Sequence, residues 1–251
     1  MPLDPRLRNS IVIAALMVGV LWCVFIAGLL FRFDLLQFGV LPRTSQGLGG
    51  VLLAPLIHGS WAHLIANTLP MLILGSALFY GYPHSRVLTF ILIWILSGLG
   101  VWLWGRPNLH FGASGVAHGL LFFLFISGVI RQDKLSVVMC FIAFSMYGGM
   151  LMTIFPTEPD ISFESHFFGA AAGVLCAALF HRWDPKTKPK QYSWEHVPEQ
   201  EDPLIGDLWM TEKQRAKYER EKLTRNEEFQ TAQDGEFIDV ESTADRHPHS
   251  P

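Results

Sequence analysis

The sequence predicts an all-α fold: a polytopic bundle of six membrane-spanning helices followed by a polar C-terminal tail. Three observations predict it. Half of the 251 residues are hydrophobic and only 16% are charged, and the charges are unevenly placed. Residues 1–182 hold 9 Lys/Arg and 6 Asp/Glu, whereas residues 183–251 hold 10 and 16. Six apolar runs in the first part are each long enough to cross a hydrocarbon core about 30 Å thick as a helix. The segments between those runs carry basic residues mainly on alternate sides, as the loops of a multi-pass protein do.

The spans lie at roughly 10–31, 63–82, 87–105, 111–130, 135–155 and 162–181. The first, Ser10 to Phe31, is uncharged. It is too long for a signal-peptide core and lacks a convincing small-residue cleavage site, so it is read as a span. The segment from Arg32 to Leu56 is too polar and Gly-rich to cross, yet apolar enough to lie at or partly within the interface. Gly81, Pro83, His84 and Arg86 separate the second span from the third, and Arg106 and Pro107 the third from the fourth. Arg131, Asp133 and Lys134 separate the fourth from the fifth, and Pro156, Glu158, Pro159 and Asp160 the fifth from the sixth. Residues 1–182 thus form the membrane domain and 183–251 the tail. Within the tail, Thr211 and Gln214 fit a capping box, which starts an exposed helix over 211–230. The acidic and then His/Pro-rich end reads as disordered.

With the N-terminus inside, the inner segments carry Arg6, Arg8, Arg86, Arg131, Lys134, Arg182, Lys186, Lys188 and Lys190, and the outer ones only Arg32, Arg43 and Arg106. The expectation is a multi-pass protein of a cell (inner or plasma) membrane with both termini cytoplasmic and the bilayer as its solvent. A net charge of −3 gives no nucleic-acid signal. Cys23, Cys140 and Cys176 sit in apolar runs without motif spacing and are read as packing residues, not a disulfide or metal framework.

Polar groups inside a span are costly, so each needs a reason. Ser114 lies 17 residues before Arg131, His166 lies 16 before Arg182, and Asn67 lies 19 before Arg86. At about 1.5 Å per residue all three sit roughly 24–29 Å above the inner boundary, in one layer just below the outer surface. Gly115 and Gly119 in the fourth span, and Gly169 and Gly173 in the sixth, form two small-xxx-small faces, the pattern that lets helix backbones approach closely in lipid. If those faces meet, Ser114 and His166 project near one another. A histidine within hydrogen-bond reach is the usual base for a serine nucleophile. His63 and Asn67, spaced i, i+4, share one helical face and can donate to a developing oxyanion.

Each member also has an ordinary reading. Gly-Ala-Ser-Gly strings occur in many membrane helices, and a single histidine or asparagine can be a packed inter-helix partner. The conjunction at one depth is what points to a site. His118, four residues after Ser114 on the same face, is a rival base; His166 is favoured because it can meet the hydroxyl across a glycine contact from another helix. A zinc site of His58, His63 and His166 is disfavoured, since no carboxylate or thiolate lies plausibly beside them and His-x4-His is not a familiar zinc spacing. No metal and no other cofactor is expected.

The chain resembles the rhomboid intramembrane serine proteases. The resemblance rests on His58-Gly-Ser-Trp-Ala-His63-Leu-Ile-Ala-Asn67, on Gly112-Ala-Ser114-Gly115, and on His166-Phe-Phe-Gly169-Ala-Ala-Ala-Gly173, in that order and on the second, fourth and sixth spans of a six-span topology. It covers about residues 10–182 and says nothing of the tail. It implies a rhomboid-like bundle with a Ser–His dyad: Ser114 as nucleophile, His166 as general base, His63 and Asn67 as oxyanion donors, and His58 as a structural histidine. Transmembrane protein substrates are then expected to enter between the second and fifth spans. Phe141, Phe144 and Phe155 would belong to the gate and residues 156–163 to a cap loop. Two departures stand out. The position four after the serine is often aromatic in relatives and packs on the catalytic histidine; here it is His118, which leaves that packing open and bears on the pKa of the base. The first loop is short and lacks the Trp-Arg pair of many relatives.

Two other functions fit a polytopic bundle less well. A non-proteolytic rhomboid-like scaffold that binds membrane proteins typically lacks the serine or the histidine. A small proton transporter would need a polar path from both faces, and the inner half of the spans offers no polar residues for one.

Overall fold

The computed structural model describes residues 3–156, 161–187, 210–224 and 226. The chain is a multi-pass membrane protein. Six helical segments are long and apolar enough to cross a bilayer. They are α1 (Pro5–Leu30), α3 (Trp61–Gly81), α4 (Arg86–Trp104), α5 (Ser114–Arg131), α6 (Lys134–Tyr147) with its 3₁₀ continuation Gly148–Ile154, and α7 (Phe163–Phe180). A further helix, α2 (Ser45–Leu53), forms in the first loop. Among the described residues no strand forms, only an isolated bridge between Val40 and His110.

Helix starts follow capping chemistry. An N-cap side-chain oxygen satisfies one of the first backbone N–H groups, which have no partner inside the helix. Asp4 accepts from the Arg6 N–H at 2.9 Å, with Pro5 in the first position, where its missing donor costs nothing. Thr44 accepts from Gly47 (3.0 Å), Ser60 from His63 (3.2 Å), Asp133 from Ser136 (3.4 Å) and Ser162 from Ser165 (3.3 Å). Thr44 is what makes a helix of the first loop, a signal weaker than the glycines around it.

α5 is the central span: two thirds of its membrane window (67%) is buried, against 11% for the α6 span. The difference follows from composition. α5 presents glycines that let α4 and α7 approach, whereas α6 is an edge helix with its apolar side chains turned outward. A Cβ on Gly169 would overlap the carbonyl of Gly115, and one on Gly173 would overlap the carbonyl of Gly119. The two glycine faces therefore meet backbone to backbone, at a separation no larger residue allows.

The face opposite Ser114 is closed by a buried polar clasp. Arg131 donates to Asp133 (3.0 Å), Ser136 (2.8 Å) and the carbonyls of His181 (2.9 Å), Asp184 (3.0 Å) and Pro185 (3.1 Å). Asp184 accepts from the His84 N–H at 2.7 Å and from the Ser85 hydroxyl. The chain just after α7 is thereby tied to the α3–α4 and α5–α6 turns. One compact unit runs to Pro189, and a second comprises Lys190–Pro251.

The inner half is not devoid of polar side chains, contrary to the sequence expectation. Thr89 and Ser127 are buried there, and so is Tyr82 at the end of α3. Thr89 and Ser127 are single hydroxyls within apolar runs, easily passed over in a hydropathy window. Fully buried Leu120, Leu121 and Leu124 occupy the α5 turns between Ser127 and the Ser114 layer. In the second unit, residues 212–224 are helical. Gln214 Oε1 accepts from the Thr211 N–H at 3.0 Å, and Thr211 Oγ1 from the Gln214 N–H at 3.4 Å. The remainder of the expected 211–230 helix, apart from residue 226, lies outside the described residues, as does the acidic end.

Candidate active site

Ser114 is the first residue of α5. The turn before it needs Gly112, whose φ of +111° is a conformation that side chains rarely adopt. A Cβ there would also lie 2.6 Å from the imidazole of His63. Gly112 thus allows both the sharp entry into α5 and the close approach of the His63 ring. The Gly112 N–H donates to the Ala54 carbonyl (2.9 Å), and the Ala113 N–H reaches His58 Nε2 at 3.5 Å. Burial, with the neighbouring His63 adding to it, pushes the His58 imidazole down to about 4, so it is neutral and can accept that hydrogen bond.

His166 lies in the first turn of α7. Its Nε2 is 2.9 Å from Ser114 Oγ, and its Nδ1 is 3.0 Å from the Thr153 carbonyl. A carbonyl only accepts, so Nδ1 carries the proton in that bond and Nε2 is free to accept from the serine hydroxyl. This is the tautomer a general base at Nε2 requires.

His118 does not contact the Ser114 hydroxyl. Its Nδ1 is 2.7 Å from the Ser114 carbonyl, and its Nε2 is 2.9 Å from Thr153 Oγ1 and 3.1 Å from the Met150 carbonyl. Its ring lies flat on that of His166, with centroids 3.9 Å apart and planes 11° from parallel. The aromatic packing that the departure at this position left open is therefore present, made by one imidazole on another.

His63 and Asn67 stand on one face of α3 and share with Ser114 and His166 the walls of a cavity of about 880 Å³. One Asn67 amide N–H is spent on the His63 carbonyl (3.0 Å), which leaves its second for a ligand. The His63 ring packs edge-on to His58 (5.0 Å) and near Phe111 (5.9 Å). Ile65 and Leu69 of α3 lie on one side of the cavity, and Tyr147, Met150 and Thr153 on the other. Phe141, Phe144 and Phe155 do not line it; all three are exposed on the outside of the bundle. The residues that do line it follow a change of period. From Gly148 the backbone winds as a 3₁₀ helix of three residues per turn. That aligns residues 147, 150 and 153, which a 3.6-residue period does not. Of the expected cap loop, residues 157–160 lie outside the described residues.

Two groups escaped the sequence reading. Glu164, two residues before His166, is buried and forked by Arg106, with Nε–Oε1 at 2.6 Å and Nη2–Oε2 at 3.3 Å. Arg106 also donates to the Ile161 carbonyl at 3.1 Å. Beside it, His110 Nδ1 meets Ser162 Oγ at 2.6 Å. These contacts staple the loop that leads into Ser114 onto the start of α7, and so fix the spacing of Ser114 from His166. Arg106 looked only like a loop charge. The unusual carboxylate Glu164 at the mouth of a span was the available signal. Thr153 is the second group, and the 3₁₀ register hides it. Among the described residues no group of three His, Cys, Asp or Glu side chains is arranged to hold a metal.

The fold and the site define a multi-pass membrane protein with a serine–histidine pair in the first turns of two of its apolar helices. The chain belongs to the rhomboid family: the family model for the Rhomboid domain matches residues 46–183, more than half of its length. Among its relatives are uncharacterized proteins of Mycobacterium bovis and Mycobacterium tuberculosis, each 36% identical over 159 residues. Those matches take in 60% of this chain and 66% of each relative. An uncharacterized protein of Mycobacterium leprae is 30% identical over 179 residues, 68% of this chain and 71% of its own.

Proposed function

We propose that the chain is an intramembrane serine endopeptidase that cleaves transmembrane segments of membrane proteins near the outer face, with Ser114 as nucleophile and His166 as general base. The observation that carries this reading is the 2.9 Å contact between Ser114 Oγ and His166 Nε2, with Nδ1 engaged by the Thr153 carbonyl. Ser114 Oγ attacks the scissile carbonyl carbon as its proton passes to Nε2. The oxyanion that forms faces His63 and Asn67 donors, which act where charge develops. Collapse breaks the C–N bond, and the imidazolium returns the proton to the leaving amine. Water, deprotonated by Nε2, then hydrolyses the acyl-enzyme and restores Ser114.

The substrate helix enters between α3 and the edge span α6, where the cavity lies. The basic asymmetry of the loops supports an orientation with the Ser114 face outside the cytoplasm and both termini inside, in a cell membrane. The alternative, a scaffold that binds membrane proteins without cutting them, leaves the 2.9 Å pair without a purpose. The test is cleavage of a helical transmembrane substrate by the full chain in liposomes. Ser114→Ala and His166→Ala should each abolish cleavage with the fold intact. Full activity in Ser114→Ala would sink the proposal, and full activity in His166→Ala with loss in His118→Ala would move the base to His118.

A further inference from the structure

Four hydrogen-bond contacts around the dyad close on themselves. The Ser114 hydroxyl donates to His166 Nε2 (2.9 Å), and His166 Nδ1–H donates to the Thr153 carbonyl (3.0 Å). The Ser114 carbonyl can only accept, so His118 Nδ1 carries the proton across that 2.7 Å contact. Neutral His118 then presents a lone pair at Nε2; the Met150 carbonyl 3.1 Å away can only accept, so the donor in reach is the Thr153 hydroxyl at 2.9 Å, which shares its proton with the Met150 carbonyl, also 2.9 Å from it. The circuit runs Ser114, His166, Thr153, His118 and back to Ser114.

We infer that Thr153 is the orienting residue of the dyad and that His118 holds Thr153 in place. This rests on the reading of Ser114 and His166 given above. A base that must keep one tautomer needs a third group on its other nitrogen. In this chain that group is a backbone carbonyl near the end of a 3₁₀ turn, a mostly half-buried segment in which no residue is fully buried. A carbonyl on such a turn points reliably only if something anchors its residue. Thr153 Oγ1 supplies the anchor by reaching His118, which is fully enclosed and itself pinned to the first turn of α5. Phenylalanine at position 118 would keep the stacked ring but offer no acceptor. Imidazole does both, which gives this departure a physical use. Thr153 and His118 touch no reacting atom in this scheme; both are positioning residues.

The experiment measures kcat and KM for cleavage of one transmembrane substrate by the full chain in liposomes. The variants are Thr153→Val, Thr153→Ser, His118→Phe and the double variant Thr153→Val/His118→Phe, with Ser114→Ala as reference. One hydrogen bond is worth about 1 kcal/mol, so Thr153→Val and His118→Phe should each lower kcat about fivefold with KM little changed. Thr153→Ser, which keeps the hydroxyl, should recover most of the loss. The double variant should be no slower than the slower single, because both changes break the same link. Wild-type kcat in Thr153→Val, equal impairment in Thr153→Ser, or losses that multiply in the double variant would each overturn the inference while Ser114→Ala is inactive. Cleavage that survives in Ser114→Ala would overturn the underlying reading instead.

Discussion

The contact between α5 and α7 sets the geometry of the site, so Gly169→Ala is the sharpest structural perturbation. The methyl group would fall inside the van der Waals sphere of the Gly115 carbonyl, with backbone on both sides and no flexible side chain to yield. Relieving the overlap requires the helices to part by about 1 Å, because a packed interior deforms by displacement of whole elements. His166 lies three residues from Gly169 and Ser114 one from Gly115, so the separation is felt at the dyad. The 2.9 Å Ser114–His166 contact would open to about 3.9 Å, past hydrogen-bond range. A misplacement of that size costs about 10²-fold in rate, and the overpacking about 1–3 kcal/mol of stability. The assay is kcat for a transmembrane substrate in liposomes, with unfolding by denaturant in parallel. Gly19→Ala in α1 is the control, since a Cβ there meets nothing within 4 Å. It should keep kcat and gain about 0.5–1 kcal/mol in helix stability. Wild-type kcat in Gly169→Ala would refute the claim that close glycine packing sets the dyad.

Two further predictions follow from other parts of the structure. Gly112→Ala forces a side chain onto a φ of +111° and into the His63 ring. The strain alone is about 1–3 kcal/mol, and substrate turnover should fall at least about tenfold as His63 is displaced; unchanged turnover would show that His63 placement is immaterial. Asp133 reports on the clasp at the opposite face. Burial alone would raise its pKa, but hydrogen bonds from Ser136 and Thr187 and the Arg131 charge outweigh burial and hold it at about 2, against an ordinary 3.8. A depressed carboxyl stabilises the fold above its unfolded pKa, and that contribution, about 2 kcal/mol, is lost as pH falls from about 4 toward 2. Asp133→Asn should remove that acid-dependent loss and lower stability at pH 7 by a similar amount, read by thermal unfolding in detergent. An unchanged pH profile would contradict the clasp.

The six spans were legible because apolar runs of bilayer length leave little else for the chain to form, and the glycine faces because a four-residue spacing is a helical one. The Ser114–His166 pair was legible from depth: two residues on different helices, counted from basic boundaries, fell in one layer. Other features depend on quantities that residue types do not carry. The aligned wall of Tyr147, Met150 and Thr153 needs a 3₁₀ winding that Gly148-Gly149 permits without requiring. The stacking of His118 on His166 needs their ring planes. The fork from Arg106 to Glu164 joins a loop and a helix start 58 residues apart, each plausible alone as an interfacial charge. α2 was hidden because its glycines outweigh a single threonine cap in any propensity sum.

Covalent labelling tests the central claim most directly. The full chain in liposomes, treated with a serine-directed fluorophosphonate and mapped by mass spectrometry, should carry the label on Ser114, and His166→Ala should lose it because the hydroxyl no longer has a base. Label on another serine, or unchanged labelling of Ser114 in His166→Ala, would contradict the account.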